Sequence, residues 1–86
     1  MDINELIAII KKKLQNQINI KNINIEDKSF LHKNHAGNQE GRYHLKIILS
    51  SSELKSLSRI ESNKRVYKIL DKELKDYIHS IQILIS

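Results

Sequence analysis

Apolar residues at the start of the chain recur at helical spacing. Ile3, Leu6, Ile7, Ile10 and Leu14 form one stripe, while Lys11, Lys12, Lys13 and Gln15 fall largely off it. Asp2-Ile3-Asn4-Glu5 reads as a capping box, with the Asp side chain accepting from the third helical amide and Glu5 reaching back, so helix one starts near Ile3. From Ile18 the period falls to two. Ile18 and Ile20, then Ile23 and Ile25, alternate with Asn, Lys and Glu, the pattern of a half-buried strand. Residues 34–41 hold both glycines among polar side chains and form a loop. Residues 42–49 restore alternation, with Tyr43, Leu45, Ile47 and Leu49 on one face and His44, Lys46 and Ile48 on the other, which closes a β-hairpin.

Ser50-Ser51-Ser52-Glu53 and Ser58-Arg59-Ile60-Glu61 repeat the capping-box pattern, predicting a short helix over residues 51–56 and a longer one over 58–77. The long helix carries Ile60, Tyr67, Leu70 and Leu74 as its inner stripe, widened by Val66 and Ile69. Glu61 with Arg65 and Asp71 with Lys75 are i,i+4 pairs on its outer side. Residues 79–85 read as a last strand with His79, Ile81, Ile83 and Ile85 on one face. The order αββααβ predicts one small α+β domain over residues 1–86, a three-stranded sheet with helices packed on it. No repeat, linker or low-complexity segment interrupts it.

Composition narrows the class. Apolar residues at 40% and charged residues at 29% suit a folded domain rather than a disordered chain. The chain has no cysteine, so no disulfide can staple it, which favours a reducing cytoplasm or an organelle matrix, and of these the cytoplasm is the expectation. Acidic Asp2 and Glu5 precede the first apolar run and Lys11-Lys12-Lys13 follows it, the reverse of a secretory signal, and no apolar run approaches the ~20 residues of a membrane span. A net charge of +5 raises the expectation of an acidic or polyanionic partner. A bias toward Ile, Asn and Lys, with no Pro or Trp, produces the same charge without selection for binding.

Four histidines carry the candidate chemistry: His32 and His35 in Leu31-His32-Lys33-Asn34-His35-Ala36-Gly37, His44 in Arg42-Tyr43-His44, and His79 near the C-terminus. On pattern alone His79 shares a face with Ile81, Ile83 and Ile85 and suits a half-buried core position. His35 suits an exposed loop residue, His32 is its understudy in the same loop, and His44 suits a surface residue or an outer-sphere donor. A zinc site built from His32, His35 and His79 is a further reading, although no spacing matches a zinc signature. Nothing suggests an enzyme: there is no cysteine nucleophile, no paired acidic residues on a predicted cleft and no Gly-rich phosphate loop.

The order of elements, together with these residues, resembles the BolA family, whose fold is close to a class II KH domain. The resemblance is carried by Glu26-Asp27-Lys28-Ser29 leading into the histidine loop, Gly41-Arg42-Tyr43-His44-Leu45-Lys46-Ile47, Val66-Tyr67, Glu73-Leu74 and Ile78-His79-Ser80-Ile81, and covers essentially the whole chain. It implies a non-enzymatic adaptor that partners a monothiol glutaredoxin with glutathione and shares a 2Fe-2S cluster with it, for iron-sulfur trafficking or iron and redox regulation. No cluster is then expected in the isolated, monomeric protein. By the same resemblance His79 is the C-terminal ligand and His35 the loop ligand, with His32 as second choice. Histidine ligation raises cluster potential, and an imidazole is a weaker, protonatable ligand than a thiolate, which suits transfer or sensing.

The alternative is a DNA-binding transcriptional regulator acting through Lys55, Arg59, Lys64, Arg65, Lys68 and Lys72 on the later helices, with Lys64, Lys68, Lys72 and Lys75 sharing a helical face. An ordinary solvated face, interrupted by Glu61, Asp71, Glu73 and Asp76, accounts for the same residues. Where many relatives carry Arg-His-Arg before Val-Tyr, this chain reads Ser62-Asn63-Lys64-Arg65. RNA binding of the KH kind clamps backbone with a Gly-x-x-Gly turn, and here the corresponding connection is Ser56-Leu57-Ser58.

Overall fold

A computed structural model describes residues 1–29 and 42–86. Helix α1 (Ile3–Gln17) begins at Asp2, whose Oδ1 accepts from the Glu5 amide at 2.9 Å, and buries Leu6, Ile10 and Leu14. Ile18 ends it in extended conformation with its N–H on the Leu14 carbonyl. The chain stays out of the sheet for three more residues, so strand β1 (Asn22–Asp27) starts later than the alternation from Ile18 suggests. Strand β2 (Tyr43–Ser50) pairs antiparallel with β1 and parallel with β3 (Ile78–Ile85), giving a three-stranded sheet in the order β1-β2-β3. The expected hairpin is present, although its loop lies outside the described residues.

One face of the sheet is apolar. Ile25, Ile47 and Ile83 stand in register across the three strands, as do Ile23, Leu49 and Ile85. These rows meet α1 residues Leu6, Ile10 and Leu14 in a single core that also takes Ile18, Leu45, Leu54, Val66, Leu70 and Ile78. Burying a side chain of this size contributes roughly 1.5–3 kcal/mol relative to exposure, so the core rests on about a dozen aliphatic anchors and, among the described residues, on no buried Phe or Tyr.

Between β2 and β3 the chain forms a short helix α2 (Ser52–Lys55), then α3 (Arg59–Ile69) and α4 (Asp71–Asp76). Ser58 caps α3 as the sequence predicts, its hydroxyl accepting from the Glu61 amide, whereas α2 is capped by Ser51, which accepts from the Leu54 amide, one residue later than the expected box places the cap. The single helix expected over residues 58–77 is broken at Leu70 (φ −98°, ψ 17°), with no Gly or Pro to announce it. Leu70 is fully buried, and its N–H and C=O still bond to Val66 and Leu74, so packing on both sides sets the bend.

The inner stripe also differs from the expected one. Ser62, Val66, Leu70 and Glu73 face the core, while Ile60 is 69% and Tyr67 41% exposed. These two lie roughly a third of a turn away from the buried stripe. Two polar residues, Ser62 and Glu73, mark the true face, and a count of apolar positions discards them. Glu73 Oε2 is held by Lys13 Nζ at 2.7 Å, tying α4 to α1. Arg65 pairs with Glu53, whose Oε1 also accepts from the Asn19 amide, so α3, α2 and the approach to β1 are joined at one point.

Candidate functional site

Parallel pairing of β2 with β3 proceeds in step except at one place. Tyr43 faces Ile78, and the next residue, His44, faces Ser80, so His79 has no partner in the register. The extra residue reverses the alternation of β3. Ile78 is buried at 2% exposure and Ile81 returns to the apolar face, whereas His79 is exposed. The sequence pattern puts His79 on the same face as Ile81, half-buried beneath the helices. The irregularity assigns that place to Ile78 and turns the imidazole to solvent. Such irregularities are uncommon in parallel pairs and re-aim a side chain where they occur.

His44 stands on the sheet face away from the helices, as its parity requires, yet it is 5% exposed rather than a surface residue. Its backbone is fixed on the β1 side, where its N–H donates to Ser29 Oγ at 3.0 Å and its carbonyl accepts from the Lys28 amide at 2.7 Å. Ser29 is itself set by a turn in which its amide donates to Asp27 Oδ1 at 2.9 Å. On the β3 side His44 Nδ1 lies 2.6 Å from Ser80 Oγ. The His44 ring centre is 4.8 Å from that of His79, with the planes tilted by 51°. A held imidazole thus supports an exposed one.

Sequence reading missed Ser80, Ser29 and the burial of His44. The Arg42-Tyr43-His44 and Ile78-His79-Ser80 segments are both visible in the chain, but only the strand register brings the second histidine to the first.

His32 and His35 lie outside the described residues. Among the described residues no group of three or more His, Cys, Asp or Glu side chains could hold a metal ion. Of the basic residues, Lys55, Arg59, Lys64, Lys68, Lys72 and Lys75 are exposed. Arg65 is paired with Glu53, and Lys75 with Asp71 at 3.0 Å. Among the described residues no helix is long and apolar enough to cross a membrane.

The fold has close counterparts. The BolA domain of SufE1 from Arabidopsis thaliana superposes with a TM-score of 0.76 at 23% identity, covering 92% of this chain and 87% of that one. BolA1 from Arabidopsis thaliana gives 0.75 at 24% identity with the same coverage. In sequence, the DNA-binding transcriptional regulator BolA of Haemophilus influenzae is 28% identical over 75 residues, 87% of this chain and 70% of that protein. The family model described as BolA-like protein matches residues 14–86, from the last turn of α1 to the end of β3, and so takes in the whole sheet and both histidine-bearing strands. On that match, this chain belongs to the BolA-like family.

Proposed function

We propose that this protein is a non-enzymatic cytoplasmic adaptor that partners a monothiol glutaredoxin and helps to coordinate a bridging 2Fe-2S cluster, with His79 as one ligand and the loop residue His35 as the other. The observation that carries this reading is the exposure of His79 at the break in the β2–β3 register. A core histidine would have followed the alternation inward; this one is turned out and backed by a second imidazole. The chemistry of the donor set agrees. Iron-sulfur clusters take thiolate and imidazole ligands. This chain has no thiolate, and its described residues hold no complete metal site, so its donors suit half of a site shared with a thiolate-bearing partner. When bound through imidazole, such a cluster has a raised potential.

The test is reconstitution of this protein with a monothiol glutaredoxin, iron, sulfide and glutathione. A heterodimer whose visible spectrum differs from that of the glutaredoxin homodimer is expected. An unchanged spectrum and complex with His79→Ala would overturn the assignment.

A second reading, a DNA-binding regulator, is favoured by the name of the Haemophilus relative and by the exposed Lys64, Lys68 and Lys72 on α3 and α4. Pairing of Arg65 with Glu53 leaves that surface with one unpaired cation fewer than the sequence suggests.

A further inference from the structure

At the opposite end of β3 from His79 the molecule has a second feature that the proposed function does not use. Among the described residues β3 pairs only with β2, so its other edge is open. The Ser86 amide and carbonyl bond to Leu49 and Ser51 on the β2 side. Strand alternation therefore turns the amides and carbonyls of Ile83 and Ile85 to the open edge. Folded proteins usually blunt such an edge with charge or Pro, and β3 has neither. Leu84 is 40% exposed there.

Beside this edge runs a groove of about 440 Å3 between β3 and the α2–α3 corner. Its floor is apolar, formed by Leu54, Leu57, Ile83 and Ile85, and Lys55 and Arg59 stand at its rim. Both cations are exposed and neither has an ion-pair partner among the described residues, in contrast to Arg65 and Lys75. No acidic residue lines the groove.

We propose that this edge and groove bind an extended acidic segment of a partner protein, which adds to β3 as a further strand. Its main chain pairs with Ile83 and Ile85, its apolar side chains enter the groove, and its carboxylates meet Lys55 and Arg59. Charge selects this occupant over a second copy of the chain, since self-pairing would bring two sets of the same cations together on molecules of net charge +5. The lining selects it over single-stranded nucleic acid. No aromatic residue is present for bases to stack on, and the α2–α3 connection, Ser56-Leu57-Ser58, has no glycine to admit a phosphate closely. The site is roughly 20 Å along β3 from His79, so it is independent of the cluster reading.

The experiment titrates the full chain with a fluorescein-labelled peptide of alternating valine and glutamate, alongside a valine and lysine control. Saturable binding of the acidic peptide alone is expected, with shifts of the Ile83 and Ile85 amide resonances. Affinity should fall at least about tenfold with Lys55→Glu/Arg59→Glu and be lost when alternate peptide nitrogens are methylated. His79→Ala should leave this affinity unchanged, which separates the result from the fate of the cluster reading. Equal binding by the double variant or by the methylated peptide would overturn the proposal, as would displacement of the peptide by oligothymidylate, or dimerisation of the chain through β3.

Discussion

His44 and Ser80 face each other across the β2–β3 ladder with imidazole Nδ1 and hydroxyl Oγ 2.6 Å apart, and the ring so held packs against His79. Removing the hydroxyl by Ser80→Ala should cost about 1 kcal/mol in denaturant unfolding, the usual worth of one partly buried hydrogen bond. It should also shift the visible circular dichroism of the reconstituted glutaredoxin complex without preventing its formation. His79→Ala should remove the heterodimer's distinctive spectrum while leaving the melting temperature of the free protein unchanged, because the side chain is exposed.

The ion pair between Lys13 and Glu73 is asymmetric: the carboxylate is buried while the lysine side chain is 39% exposed. Lys13→Met should destabilise by about 1–3 kcal/mol, less than for a fully buried pair because water reaches the position. Adding Glu73→Leu should recover most of that loss, since an apolar pair of similar volume removes the stranded charge. Urea unfolding of the two single variants and the double variant measures the coupling.

The placement of α3 is tested by two substitutions that hydrophobicity alone would rank the same way. Leu70→Ala should cost about 2–5 kcal/mol, because Leu70 is fully buried. Ile60→Lys should change stability by no more than ~0.5 kcal/mol, since the side chain is mostly in water. Thermal melts of both variants suffice.

Ser51 does three things at once: its hydroxyl accepts from the Leu54 amide, donates to the Asn19 carbonyl at 2.8 Å, and sits fully inside the protein. Ser51→Ala removes the cap of α2 and strands a carbonyl, so a loss of about 1–2 kcal/mol is expected in denaturant unfolding.

For duplex DNA, weak binding without sequence preference and with steep salt dependence is expected. Lys64→Ala/Lys68→Ala should reduce the slope of log affinity against log salt by about two. A sequence preference that depends on these two lysines would favour the regulator over the adaptor.

Local signals in the sequence carried much of the architecture. Capping patterns placed the starts of α1 and α3 and came within one residue of that of α2, and alternation over β2 separated Leu45, Ile47 and Leu49 from Lys46 and Ile48. What escaped depends on contacts between distant segments. The bend at Leu70 has no local marker, and the buried stripe of α3 and α4 runs through Ser62 and Glu73, the second made tolerable by Lys13 sixty residues away. Of the candidate site, His44 and His79 were visible in the sequence as residues, but their juxtaposition was not. One unpaired residue between Ile78 and Ser80 decides which way His79 points, and period-two reading has no means of seeing it.

That unpaired residue gives position 79 an unusual freedom. The strand on either side keeps its core contacts whatever side chain stands there, because Ile78 and Ile81 hold the apolar face without it. Folding therefore places little constraint on the chemistry of this position, and cysteine or an acidic residue could replace histidine without disturbing the core. On the proposed reading of His79 as a ligand, a lineage or a designer can exchange the ligand type, and with it the kind of metal chemistry offered to a partner, by a single change in a frame that stays the same.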